Sequence, residues 1–194
     1  MSLKVIPPLP VDLASVRPVR EIPGTGEAHL HRLVVLVRDQ PGVLNRVASL
    51  MRARDFNIDS LAVSRTDRAG LSRMTISLRG DDVAVEQAAK QLYRLIDVLK
   101  VQDVSSEPTV EHELALIKVA VTEDHRAQLI SLIELAGGRL LDLTTRSAIV
   151  EISGSESQVD ELIGILRVYG IRELVRTGAV VMSRGLDSIE EALR

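Results

Sequence analysis

The segment LVVLVRDQPGVLNRV, residues 33–47, decides how the rest of the chain is interpreted. Its first five residues form a continuous aliphatic run, which is typical of a strand that is covered on both faces. The DQPG segment at 39–42 interrupts the run, and apolar residues then return at spacings of three and four. The segment therefore predicts a strand, a tight loop and an amphipathic helix. Pro41 suits the first turn of that helix, where its missing amide hydrogen is not needed.

The same alternation of strands and helices continues outward from this segment and occurs twice. After the first strand and helix we predict strands at 56–63 and 73–79, a turn at 66–70, a helix with apolar residues between 85 and 96, and a strand at 98–104. The second pass has strands at 114–121, 140–143, 148–152, 171–175 and 180–182, and helices at 123–136 and 159–166. Two consecutive βαββαβ units predict an α+β fold of two tandem ferredoxin-like domains, each a four-stranded antiparallel sheet with both helices on one face.

The positions of proline and of polar segments set the predicted domain boundaries. We predict a Pro-rich arm at 1–30, a first domain at 31–105, a linker at 106–112, a second domain at 113–185 and a tail at 186–194. The arm holds five of the seven prolines and is either a tail of no consequence or a segment that lies over a partner. Because each small sheet would keep one bare face and exposed edges, we expect a homodimer.

Composition excludes several classes of function. The 194 residues carry a net charge of −3 with a pI near 5.8 and no basic patch, which argues against a nucleic-acid partner. The absence of cysteine removes disulfides and thiolate metal sites, and makes the cytoplasm the expected location. The apolar runs are far shorter than the roughly 20 residues that cross a bilayer, so we expect no membrane association.

The polar residues give little indication of a reaction centre. His29 and His31 would hold a metal only with ligands from elsewhere in the fold, so we predict no metal site. The Gly-Thr-Gly at 24–26 lacks the third glycine and the preceding strand of a dinucleotide loop. The adjacent acids at 81–82 and 190–191 fit a helix start and a solvated tail. We predict that the chain is not an enzyme by itself.

The loop at 39–42 is the one feature that suggests a ligand. Free amide groups at the start of the following helix attract a carboxylate, and Gly42 allows close approach to the main chain. Asp39 is able to pair with an ammonium group, so the loop suits an amino acid. An ordinary helix cap with Pro41 in the first turn explains the same residues, and the spacing alone leaves both interpretations open.

A resemblance to a known family favours the first interpretation. The motif Asp-x-Pro-Gly-Val-Leu at 39–44 with Arg-Val at 46–47, and NIDSL at 57–61, resembles the ACT domain of the small regulatory subunit of acetohydroxyacid (acetolactate) synthase. Further segments agree in order and spacing: LSRMTI at 71–76, KQL at 90–92, IDV at 96–98, 113–119 and MSRG at 182–185. The resemblance covers residues 31–185.

The resemblance implies a non-catalytic subunit that binds the large catalytic subunit, raises its activity and confers feedback inhibition by valine. Thiamine diphosphate, Mg²⁺ and FAD are then expected on the catalytic partner, and no cofactor on this chain. The implied effector site lies between two ACT domains, with one wall from each chain: Asp39, Gln40, Pro41, Gly42, Val43 and Leu44 on one side, Asn57 and Ile58 on the other. The ACT loop alone also allows a stand-alone amino-acid sensor that acts on a different enzyme or transporter.

Overall fold

The computed structural model describes residues 28–186 and 188–190. Most of the predicted Pro-rich arm and the last four residues of the tail lie outside these ranges. Within them no helix is both long and apolar enough to cross a membrane.

The first half of the chain folds as the predicted βαββαβ unit. It comprises β1 (His29–Arg38), α1 (Val43–Ala53), β2 (Ile58–Arg65), β3 (Leu71–Gly80), α2 (Asp82–Leu92) and β4 (Val98–Asp103). The strands form an antiparallel sheet in the order β2-β3-β1-β4, which leaves β2 and β4 at the edges. Apolar residues that alternate along β1 pack with the stripes of α1 and α2, with Leu33, Val47 and Leu92 completely buried in this core.

The second half repeats the pattern and adds one strand. It comprises β5 (Thr109–Ala120), α3 (Arg126–Leu135), β6 (Arg139–Leu143), β7 (Ser147–Gly154), α4 (Glu156–Leu166), β8 (Ile171–Arg176) and β9 (Val180–Ser183). Four strands follow the order β6-β7-β5-β8, while β9 pairs with the first four residues of β5. Gly137, at the end of α3, adopts the left-handed conformation that its position predicts. The structure therefore confirms the α+β class and both ferredoxin-like units.

Several predicted boundaries are wrong, and tertiary pairing explains the largest errors. The first strand starts at His29, inside the predicted arm, because it pairs with β3 along all ten of its residues. The predicted linker at 106–112 contains the start of β5, since Thr109–His112 form a ladder with β9. The second strand begins two residues later than predicted, and α2 ends at Leu92 rather than near residue 96.

The prediction of a bare face on the first sheet is also wrong. Behind the sheet a third apolar cluster joins the outward side of β1 to the segment after β8, and its buried members are Val34, Leu36, Val104, Ala179, Val181 and Ile189. The same segment also covers β3, and Thr75 and Ser77 on this side of the strand are both buried. The first sheet is therefore sandwiched between its own helices and the second domain.

Ile189 and Glu190 of the tail belong to this packing, whereas Leu186 before them is 97% exposed. Ile189 is 5% exposed within the third cluster. Arg68 donates from Nη1 to the main-chain oxygen of Glu190 at 3.3 Å, so Glu190 is held against the first domain. The expectation of a solvated tail is wrong for these residues, because an apolar side chain anchors the segment. Glu191 lies outside the described residues.

Polar contacts tie the two domains together as well. Arg32 of β1, which is 8% exposed, donates to Glu111 of β5 from Nε at 2.8 Å and to Glu156 of α4 from Nη2 at 3.0 Å. Arg73 of β3 donates from Nη2 to the main-chain oxygen of Val181 at 2.6 Å. Burial lowers the pKa of Arg73, and the charge of Glu190 acts in the opposite direction.

Candidate functional site

The loop between β1 and α1 has a geometry that only glycine adopts without strain. Gly42 is the N-cap residue of α1, with φ 83° and ψ −4°. Pro41 consequently precedes the cap and is not in the first helical turn, which corrects the sequence-based placement. The chain needs a left-handed residue here to turn from the end of β1 into the helix. At the β1 end of the loop, the amide of Asp39 donates a hydrogen bond to the main-chain oxygen of Gly70 at 2.8 Å, which fixes this end to the turn before β3.

The start of α1 presents main-chain amides that no side chain of the described residues caps. Gly42 has no side chain to cap the helix, and the amide of Val43 makes only a long contact of 3.3 Å with the oxygen of Gln40. The first regular helical bond runs from the amide of Arg46 to the oxygen of Gly42 at 3.0 Å. Amides at this end of a helix carry a partial positive charge, so the loop is suited to an anion.

A guanidinium group strengthens this preference, and the sequence analysis did not assign it to the site. Arg46 donates from Nε and Nη2 to Oδ2 of Asp97 at 2.9 and 2.5 Å. Its Nη1 atom lies 3.1 Å from the point where a Cβ atom on Gly42 would stand. The Asp97 side chain is only 6% exposed, so it fixes the guanidinium beside the glycine. The spacing Gly-x-x-x-Arg, one helical turn, was the signal that could have identified Arg46.

Asp39 lies at the site but already has a cationic neighbour. Its Oδ2 atom is 2.9 Å from Nε of Arg65, at the end of β2. Arg65 is 84% exposed, so the pair is accessible to solvent and contributes little by itself. An ammonium group that binds Asp39 would share its carboxylate with Arg65.

The remaining predicted residues divide between core, surface and a distant position. Val43 is buried in the first core, whereas Leu44 is 45% exposed and is accessible to a ligand. Asn57 and Ile58 line a shallow cleft of about 320 Å³ beyond the C-terminal end of α1. Eleven helical residues, about 16 Å of helix, separate them from the loop. One chain therefore does not bring the two predicted walls together.

Two protein-family models match the chain, one for each domain. Residues 33–100 match the model described as "AHAS small subunit-like ACT domain", and residues 112–185 match the one described as "Small subunit of acetolactate synthase". A probable acetolactate synthase small subunit of Archaeoglobus fulgidus is 47% identical over 155 residues, which cover 80% of this chain and 97% of the relative. The chain belongs to the acetolactate synthase small-subunit family.

Other relatives agree with this assignment over most of the chain. The acetolactate synthase small subunit of Aquifex aeolicus is 39% identical over 181 residues, which cover 93% of this chain and 94% of the relative. The crystal structure of the small subunit from Thermotoga maritima superposes with a TM-score of 0.76 at 38% identity, covering 82% of this chain and 99% of that one. The ACT domain of this family member is the first unit, and the candidate site lies in its β1–α1 loop.

Proposed function

We propose that this chain is a regulatory subunit of acetolactate synthase in the cytoplasm, without catalytic activity of its own. It binds the thiamine-diphosphate-dependent catalytic subunit, raises its activity and transmits feedback inhibition by valine in branched-chain amino acid biosynthesis. Thiamine diphosphate, Mg²⁺ and FAD belong to that catalytic partner. The observation that carries the effector role is the left-handed Gly42 at the open start of α1, with the Arg46 guanidinium beside it.

The chemistry of the loop supports a small zwitterionic ligand. The effector carboxylate takes the amides at the start of α1 and the free side of the Arg46 guanidinium. Its ammonium group takes the Asp39 carboxylate at the solvent side of the loop. The exposed Leu44 side chain offers an aliphatic surface for the branched part of the ligand.

The sheet topology supports completion of the site by a second chain. Among the described strands β2 pairs only with β3, so it is an edge strand whose other side offers main-chain groups for pairing. In a two-fold dimer, two such edges pair in antiparallel orientation, so the start of one β2 lies beside the end of the other. Asn57 and Ile58 of one copy then approach Arg65 and Asp39 of the other. Within one chain these groups are separated by the length of β2, about 23 Å.

The size of the ligand limits its affinity. Valine has about eight heavy atoms, and about −0.6 kcal/mol per atom gives a binding free energy of about −5 kcal/mol, or a Kd of about 0.2 mM. Because the site spans two chains, valine stabilises one dimer arrangement relative to another. Only this difference in affinity is transmitted to the catalytic subunit.

The test is the Gly42→Asp variant, assayed for acetolactate formation with the catalytic subunit and increasing valine. The new side chain starts 3.1 Å from Nη1 of Arg46, so its carboxylate takes the position proposed for the ligand's own. We expect lost valine sensitivity and preserved activation. The matched control is Gly137→Asp, also in the left-handed region, with φ 75° and no atom of the described residues within 4 Å of its Cβ position. Normal valine inhibition of Gly42→Asp shows that the site is elsewhere, and absence of any activation by the wild-type chain refutes the regulatory role.

A further inference from the structure

A cluster of metal-binding side chains lies at the opposite end of the first sheet from the effector loop. His29 and His31 are two residues apart on β1 and therefore share one face of the strand. β1 pairs with β3 so that His29 is opposite Gly80, and the chain then turns directly into α2. This turn brings Asp82, the first residue of α2, against both imidazoles. The two histidines alone provided no third ligand, and the fold supplies it.

The distances within the cluster suit a single ion. Oδ1 of Asp82 is 3.2 Å from Nε2 of His29 and 3.7 Å from Nε2 of His31, and the three groups present ligand atoms within 4.8 Å of one another. The ligands of a tetrahedral zinc ion, with bonds of about 2.0–2.1 Å, stand about 3.3 Å apart. His29 and Asp82 are largely exposed, so small rotations of their side chains close the remaining gap.

His31 provides an independent indication of a ligand. The side chain is 2% exposed, and its Nε2 atom has no hydrogen-bond partner among the described residues. A buried ring nitrogen without a partner is costly, unless something occupies the space in front of it. The other ring nitrogen, Nδ1, lies 3.3 Å from Oδ2 of Asp103. A proton held at Nδ1 by this carboxylate leaves a lone pair on Nε2 that points toward Asp82.

We propose that His29, His31 and Asp82 bind one Zn²⁺ ion, with water as the fourth ligand and Asp103 as the residue that positions His31. Two imidazoles favour zinc over the hard ions Mg²⁺ and Ca²⁺, which prefer oxygen ligands. The charges of Asp82 and Asp103 match those of a divalent ion. Asp103 is itself fixed, because its Oδ1 atom accepts from the amide of Ser105 at 3.0 Å. The bound ion joins the start of β1 to the start of α2, away from the proposed effector site.

The experiment is calorimetric titration of the full chain, freed of metal with a chelator, with ZnCl₂ and separately with MgCl₂. We expect one zinc per chain, no comparable binding of magnesium, and a higher thermal midpoint in the zinc-bound protein. His29→Ala and Asp82→Asn should each weaken zinc binding at least tenfold. Asp103→Asn should weaken it by about 10 to 100-fold, the effect typical of a residue that orients a ligand. His112→Ala, an exposed histidine on β5, is the matched control and should bind as the wild type does.

A nitrogen-15 spectrum of the histidine rings identifies the atoms involved. Zinc should shift Nε2 of His29 and of His31 and leave His112 and His125 unchanged. The proposal is overturned if the wild-type chain binds no zinc at 100 µM, if His29→Ala binds zinc as tightly as the wild type, or if the ring signals of His31 do not respond. None of these results depends on valine or on the catalytic subunit, so failure here leaves the proposed regulatory function untouched.

Discussion

Gly178→Ala tests whether the contact between the two domains is as tight as the structure shows. Gly178 lies between β8 and β9, and a Cβ atom there would stand 3.0 Å from the main-chain carbon of Leu61 and 3.1 Å from its nitrogen and oxygen. Main-chain atoms of a paired strand do not move aside easily, so the two domains must separate by a few tenths of an ångström. Overpacking of this kind costs about 1–3 kcal/mol. For a chain of 194 residues this corresponds to a fall of about 3 to 9 °C in the thermal midpoint.

The measurement is thermal and urea unfolding followed by circular dichroism, with a second glycine as the control. Gly164 lies in α4 and is exposed, and within the described part of the chain no atom comes within 4 Å of its Cβ position. Gly164→Ala should therefore raise the free energy of unfolding by about 0.5–1 kcal/mol, because alanine is the better helix former. If Gly178→Ala is as stable as the wild type while Gly164→Ala behaves as expected, Gly178 does not lie against β2 and the described domain packing is incorrect.

Three other perturbations test separate parts of the molecule. Arg32→Ala removes the buried cation that pairs with Glu111 and Glu156, and urea unfolding should show a loss of about 2–3 kcal/mol in the free energy of unfolding. This is less than the 3–5 kcal/mol of fully buried pairs, because both acids are partly exposed. A loss under about 0.5 kcal/mol contradicts the interdomain ion pair. Asn57→Ala should weaken valine binding by about 1–3 kcal/mol in calorimetry if its amide closes the site, and an unchanged titration removes Asn57 from it. The hydrogen bond and charge of Lys118 lower the pKa of the Glu173 carboxyl below its ordinary value of 4.5. This contribution to stability is present above the unfolded-state pKa and is lost as the pH falls through the lowered folded-state pKa, so an NMR titration of Lys118→Gln should show the Glu173 midpoint returning upward.

The sequence predicts helices and strands well where their apolar residues pack within their own domain. Val159, Leu162 and Leu166 repeat at helical spacing and are buried in α4 as predicted. The pattern fails where burial comes from the other domain. Thr75 and Ser77 alternate with apolar residues in a way that indicates solvent on one face of β3, yet the segment around β9 covers them. Long-range packing of this kind leaves no periodic signal in a single chain.

The helix start at the candidate site was predictable in position and less so in detail. The Pro-Gly motif predicted that a helix begins shortly after β1, and α1 does begin at Val43, while the binding of an anion there stays a prediction. The motif did not distinguish Pro41 before the cap from Pro41 inside the helix, because both positions tolerate a residue without an amide hydrogen. It also missed the partnership of Arg46 with Asp97, since 51 residues separate the two in the sequence.

The unbroken run of β5 through two sheets has a mechanical consequence. Its ladder with β9 ends at His112, and its ladder with β7 begins at the very next residue, Glu113. Because β5 is paired without interruption from Thr109 to Ala120, the part that pairs with β9 and the part inside the second sheet move together as one rigid strand. We therefore expect that a movement of β2 against Gly178 rotates the whole second sheet, including its edge strand β6, and is not absorbed by bending between the two domains.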